Sequence, residues 1–241
     1  MSIDLNQVHT LLFDLDGTLL PLDLEEFLGS YLRRLQQKAA PYLPPEQFIS
    51  CLWAATGAMV DNEDPRMENR AVFWQRFCQL SRIPREALEP VFEEFYRQEF
   101  PSLAALAKPS PLSREIVGLA LEKGKQVVLA TNPIFPAIAI WERMRWANLH
   151  DLPWRLVTTY ENSHYCKPKL AYYREILQQL GRSPEECLMI GNDVQEDLVA
   201  SQLGIHTYLV TDCLLDKGKP SYSPTLQGDL ASLRDWLRRQ R

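Results

Sequence analysis

Asp14 and Asp16 stand two residues apart at the end of the apolar run VHTLLF and are followed by Gly17 and Thr18. Side chains at i and i+2 of an extended chain share a face, so both carboxyl groups point to one side where the strand ends. Two like charges that close, beside an apolar strand, repel and are costly to desolvate unless a cation or a shared proton intervenes. Read alone, Asp16-Gly17 is equally a turn dipeptide and Asp14 a strand-end acid. A second acidic group, Gly191-Asn192-Asp193-Val194-Gln195-Glu196-Asp197, follows the run CLMI. Asp193 and Asp197 lie four apart, on one face at the expected start of a helix. An aspartate there caps the helix and favours its dipole, which accounts for Asp193 well and for Asp197 poorly. Two carboxylate clusters at the ends of different strands make an oxygen-lined site, and magnesium is the hard cation that uses a few carboxylates plus substrate phosphate.

Two further signals are weaker one by one. Thr131-Asn132, after the run QVVLA, offers a hydroxyl, an amide and backbone N–H groups to a phosphate oxygen, although Asn-Pro is also a common turn start. Lys167-Pro168 reads by itself as a surface lysine ahead of a helix. What joins the four signals is a common address, because each follows an apolar run that reads as a strand.

Those runs lie near residues 8–13, 126–130, 155–159, 187–190 and 206–210, and they read as strands buried on both faces. Helical segments separate the later ones. Ser113 is expected to cap SREIVGLALEKG up to Gly124, Pro168 to open KLAYYREILQQL up to Gly181, and Val194 to Leu203 to form a helix ending before Gly204. This alternation predicts right-handed crossovers and a parallel α/β sheet flanked by helices. Residues 21–109 break the rhythm with helical patterns only. Asp23 with Glu26 resembles a capping box, and PPEQFISCLWAATGAMV, MENRAVFWQRFCQLSR and PREALEPVFEEFYRQEF follow. The domain reading is a core of residues 1–20 and 110–241 with a helical subdomain, 21–109, inserted after the first strand. The stretch from Cys213 to Gly228 is long, polar and rich in Pro, Ser and Gly, which marks it as functional or mobile.

Composition narrows the function classes. With 46% hydrophobic and 24% charged residues, the 241-residue chain has material for a sizeable core. A net charge of −5 gives no basic face for nucleic acid, and Arg238, Arg239 and Arg241 read as a solvated helix end. No apolar run approaches a membrane span and MSIDLNQVH lacks a signal peptide's pattern, so no membrane partner and a cytoplasmic location are expected. The five cysteines, without a C-x-x-C pair, read as reduced and mostly buried thiols.

In this order the motifs resemble those of the haloacid dehalogenase (HAD) superfamily, hydrolases with an aspartate nucleophile. DLDGT at 14–18 is similar to its first motif, Thr131 to its second, Lys167 to its third and GNDVQED at 191–197 to its fourth, with Asn192 where many members have Gly before the acid. The insertion at 21–109 falls where C1-type members carry a helical cap. The resemblance implies a Rossmann-like core and a magnesium-dependent phosphatase acting on a small phosphorylated metabolite. Asp14 would be the nucleophile and Asp16 the general acid and base. Asp14, the Asp16 backbone carbonyl and Asp193 would hold Mg²⁺, with Asp197 a ligand directly or through water. Thr131, Lys167 and the backbone after Asp14 would compensate phosphoryl charge, Asn132 would add a donor, and Gly17 and Thr18 would shape the loop. Halide-removing members lack an acid at position 16 and the phosphonate-cleaving branch has a small residue there, so Asp16 points to phosphate esters.

Two alternatives stay open at this level, a sugar phosphomutase on the same scaffold and a non-catalytic binding protein with the same fold. Whether the chain is a monomer or a homodimer is equally open. Trp53, Met59, Trp74, Phe77 and Tyr96 are candidates to line a substrate pocket, though at helical spacing such side chains are more often core. The acidic run from Asp61 to Asp64 reads as a solvated loop.

Overall fold

All five apolar runs form strands, and the chain returns between them through helices, so every pairing is parallel. In the computed structural model, which describes residues 3–240, one six-stranded sheet has the order β3-β2-β1-β4-β5-β6. The strands are β1 (Thr10–Phe13), β2 (Gln126–Leu129), β3 (Leu156–Val157), β4 (Cys187–Gly191), β5 (His206–Val210) and β6 (Leu226–Gly228). β1 and β4 are buried along their whole length, as expected where helices cover both faces of a parallel sheet. The architecture is the Rossmann-like α/β fold.

The chain runs from β1 outward to β2 and β3, then returns to the other side of β1 for β4. That reversal opens a crevice beyond the carboxyl ends of β1 and β4, the usual ligand position in an open α/β sheet. Register brings the ends level: Phe13 pairs with Leu129 on one side and Ile190 on the other. The Asp14 N–H donates to the Ile190 carbonyl at 2.9 Å, and the Ala130 N–H to that of Phe13 at 2.7 Å. Asp14, Thr131 and the segment after Gly191 therefore leave the sheet side by side.

Between β1 and β2 lie α1 (Leu24–Ala39), α2 (Pro45–Asp61), α3 (Asn69–Ser81) and α4 (Arg85–Gln98), then a 3₁₀ segment, Phe100–Leu106. Asp23 caps α1 by accepting from the Glu26 N–H at 3.0 Å. Apolar faces of these helices meet in an aromatic cluster, with Phe48 and Phe77 rings 5.9 Å apart and Trp74 and Phe92 rings 5.2 Å apart. Phe100 stacks on Trp146 of α6 (Ala137–Trp146) at 5.3 Å, and the first N–H groups of α3 donate to the carbonyls of Ser163 and Tyr160. Those donors have no partner within the helix, so the loop after β3 supplies it.

Two expectations need correction. α5 (Pro111–Glu122) is capped by Ser110, which accepts from the Leu112 N–H, and not by Ser113, which sits buried inside it; Pro111 at the first helical position sets the start one turn earlier. Residues 194–203 are a turn followed by a 3₁₀ segment, Leu198–Leu203, and not an α-helix. Asp193 and Asp197 draw that chain tight through backbone hydrogen bonds. The 213–228 stretch, read as functional or mobile, contains the sixth strand and a bridge between Leu215 and Asp193. The remaining helices, α7 (Leu170–Leu180), which ends on Gly181 in the left-handed conformation, and α8 (Leu230–Arg239), pack on the sheet. Arg238 pairs with Glu115 at the basic end of α8, and Arg241 lies outside the described residues. All five cysteines are unpaired, and no helix among the described residues is long and apolar enough to cross a membrane.

Candidate active site

Asp14, Asp16, Thr131, Asn132, Asp193 and Asp197 all line one cleft of about 310 Å³ at the carboxyl edge of the sheet. Lys167 is not among the lining residues but joins two of them, reaching Asp14 Oδ1 at 2.9 Å and Asp197 Oδ1 at 2.6 Å. The lysine comes from the loop after β3 and is 1% exposed. Burial alone would lower its pKa, but Asp14 and Asp197 outweigh that and hold the ammonium well above its ordinary value. Asp197 is raised, by burial first and by the charge of Asp14, against the opposing pull of Lys167. One buried ammonium thus serves two buried carboxylates.

Thr18 lies beneath Asp14, its hydroxyl 3.1 Å from Asp14 Oδ2 and 2.9 Å from Asn192 Oδ1. Its single proton is shared between two acceptors. The Asn192 amide is turned by its bond to the Cys213 carbonyl at 2.6 Å, which aims its oxygen at Thr18. Gly17 has a φ of +83° and faces that amide so closely that a methyl group would overlap it. Gly191 is packed as tightly, because a Cβ there would fall inside the Asp197 carboxyl.

Asp193 is held by hydrogen bonds to neighbouring backbone and side chains. Its Oδ1 accepts from the Gln195 and Glu196 N–H groups at 2.8 Å each, and its own N–H donates to Asp197 Oδ2 at 3.0 Å. Lys217 reaches in from the 213–228 stretch, 3.2 Å from Asp193 Oδ2 and 3.3 Å from Glu196 Oε1. Glu196 also accepts from Asn132 Nδ2 at 3.0 Å, which ties the segment after β2 to the one after β4. The Thr131 carbonyl is fixed from below by Thr158 at 2.7 Å and the Tyr172 hydroxyl at 2.9 Å.

Asp16 is the most distinctive of the acids. Its Oδ2 pairs with Arg143 Nη1, while Oδ1 is buried with no hydrogen-bond partner among the described residues. Burial raises the Asp16 carboxyl above its ordinary value, against the opposing pull of Arg143. Arg143 is 1% exposed and stacks on the Phe135 ring with its guanidinium carbon 4.4 Å from the centroid. Arg143 was not among the residues expected from sequence, and neither was Lys217. A signal for Arg143 exists in retrospect: it lies three residues after Ile140 and four before Ala147, on the buried face of α6. Lys217 carries no such signal, since its segment has no periodicity.

No three acidic, histidine or cysteine side chains among the described residues are grouped as a metal cage. Magnesium does not need one, since it takes one or two carboxylates and fills the remaining positions with water and substrate oxygens. Asp14 and Asp193, which line the same cleft, fit that requirement. Asp197 fits it less well, because its side chain is 1% exposed, against 12% for Asp14 and 9% for Asp193.

Comparison with known proteins bears on the family and the fold. The family model of haloacid dehalogenase-like hydrolases matches residues 8–204. A glyceraldehyde 3-phosphate phosphatase of Methanothermobacter thermautotrophicus is 27% identical over 139 residues, 55% of this chain and 60% of that protein. The chain thus spans less than two thirds of that relative's length. Among solved structures, an HAD phosphatase from Thermococcus onnurineus superposes with a TM-score of 0.60 at 18% identity, covering 95% of this chain and 98% of the other. An HAD hydrolase of Bacillus subtilis bound to magnesium gives 0.57 at 20% identity with the same coverage, and the L-2-haloacid dehalogenase of Xanthobacter autotrophicus 0.56 at 14%, covering 97% and 100%. Together with the motif order, the match over most of its length makes this chain a member of the haloacid dehalogenase-like hydrolase family.

Proposed function

We propose that the protein is a magnesium-dependent phosphatase that hydrolyses a small phosphate monoester through an aspartyl-phosphate on Asp14. The observation that carries this reading is the pairing of two carboxyls with opposite treatment. Asp14 is paired with the Lys167 ammonium at 2.9 Å, an arrangement that suits a carboxylate nucleophile, and Asp16 is buried with its pKa raised and one oxygen unengaged, as suits a proton donor.

In the first step an Asp14 oxygen attacks phosphorus, the bond to the ester oxygen breaks, and the Asp16 proton passes to the departing alkoxide. In the second, water attacks the aspartyl-phosphate while Asp16 takes its proton, which releases inorganic phosphate and restores Asp14. Such proton transfer contributes about 10²–10⁴-fold in rate. Asp14, the Asp16 backbone carbonyl and Asp193 would hold Mg²⁺, which would supply charge neutralisation at the phosphoryl oxygens. Lys167, Thr131 and the loop N–H groups after Asp14 orient those oxygens, and Asn132 adds a donor beside them. The helices of residues 21–109 act as a cap that keeps bulk water from the intermediate. The test is phosphate release from a panel of phosphate monoesters with magnesium, by wild type and Asp14→Asn. Turnover by the wild type and none by a folded Asp14→Asn is expected; equal turnover by both removes Asp14 as the nucleophile.

A further inference from the structure

A second cavity, of about 100 Å³, adjoins the catalytic cleft and shares Leu28, Ile134 and Phe135 with it. Helices α1 to α4 build most of its wall, through residues such as Leu32, Leu52, Thr56 and Phe92, and the segment after β2 and Tyr160 of the loop after β3 build the rest. No acidic or basic side chain lines it. Of its three tyrosines, Tyr31 and Tyr96 are bonded to each other, hydroxyl to hydroxyl, at 2.7 Å, and Tyr160 is the third. Of the five aromatic and Met candidates noted in the helical segment, Trp53 and Tyr96 line this cavity, whereas Met59, Trp74 and Phe77 are core.

Resting on the phosphatase reading, we infer that this cavity receives the alcohol portion of the substrate and that this portion is compact, uncharged and apolar. Continuity through Phe135 and Ile134 means that an ester whose phosphorus faces Asp14 directs its organic group toward these walls. A carboxylate, an ammonium or a second phosphate entering here would lose its water and meet no opposite charge. A polyol would fare nearly as badly, because its hydroxyls would find few partners. An apolar cavity, by contrast, stays dry and takes small apolar groups; one of about 150 Å³ accommodates benzene. The occupant is therefore a short branched aliphatic chain or at most a single ring. Charged phosphometabolites and sugar phosphates are disfavoured.

The test uses the full chain with magnesium and compares kcat/KM for isobutyl, phenyl, methyl and glycerol phosphates. The wild type is expected to prefer the isobutyl or phenyl ester over glycerol phosphate by about tenfold or more, the scale on which apolar pockets discriminate. Filling the cavity with Thr56→Phe, or with Leu32→Phe should that variant not fold, is expected to lower the isobutyl-to-methyl ratio by a similar factor. A wild type that prefers glycerol phosphate, or an isobutyl-to-methyl ratio that no filled variant changes, overturns the inference. Should no ester release phosphate, the phosphatase reading fails and phenol binding by calorimetry decides the cavity alone. Saturable binding that the filled variant loses then supports an apolar subsite, and its absence in the wild type rejects it.

Discussion

Lys167 Nζ lies 2.6 Å from Asp197 Oδ1, and each side chain is 1% exposed, which makes this the most deeply buried ion pair of the cleft. The same ammonium is 2.9 Å from Asp14, so a lysine from the loop after β3 locks the end of β1 to the segment after β4. In water such a pair contributes little, but here neither partner has solvent to fall back on.

Replacing Lys167 by Met is accordingly expected to destabilise the protein by about 3–5 kcal/mol, because two carboxylates are left buried without a counter-charge. Denaturant unfolding measures it. Adding Asp197→Asn should recover part of the lost stability without restoring turnover. A single Lys167→Met variant as stable as wild type would contradict the pairing.

Arg143 engages only one oxygen of Asp16 and leaves the other unpartnered, so it sets which oxygen faces the cleft. Arg143→Lys keeps the charge but loses the planar fork. We expect kcat to fall about 10²-fold, the effect of misplacing a reacting group by roughly 1 Å, with KM little changed. The loss should be larger for alkyl phosphates than for p-nitrophenyl phosphate, whose leaving group needs no proton. Equal losses on both would reduce Arg143 to a packing role.

Magnesium binding to the wild type should raise the melting temperature as well as support turnover, with about 2.7 kcal/mol of added stability when the ion is at a hundredfold its dissociation constant. Asp193→Asn is expected to weaken that shift at every magnesium concentration, since half of the proposed carboxylate set is gone. EDTA should silence the wild type and excess magnesium restore it. Full activity in EDTA would argue against the cofactor.

Away from the cleft, the bidentate pair between Arg114 of α5 and Asp151, with bonds of 2.6 and 2.9 Å, holds the Asp151 carboxyl down at about 2. A depressed carboxyl stabilises the fold above its ordinary pKa of 3.8, and that contribution disappears as pH falls toward 2. Asp151→Asn should therefore flatten the decline of melting temperature between about pH 4 and 2, leaving its shape above pH 5 as in wild type. An identical acid limb in both proteins would show that the pair does not contribute.

Much of this molecule can be read in its residues because the relevant signals are local. An apolar run of four or five residues ending in a polar one is a buried strand whatever surrounds it, so β1, β2, β4 and β5 and the acids at their ends are placed by pattern alone. The parallel order follows from the alternation with helices. Short-range chemistry was harder to read where two signals compete, as with Pro111 against Ser113, or where side chains bend the backbone, as Asp193 and Asp197 do in turning residues 194–197 away from a helix.

The residue types of the cleft, their sequence order and the strands that carry them were determined by the sequence itself, since each depends on neighbours a few positions away. Only the tertiary structure decided that Lys167 is a buried counter-ion between Asp14 and Asp197, that Arg143 reaches Asp16 across 127 positions of chain, and that an uncharged cavity adjoins them. Those facts depend on desolvation and on which distant side chains share a volume, and no local spacing encodes either.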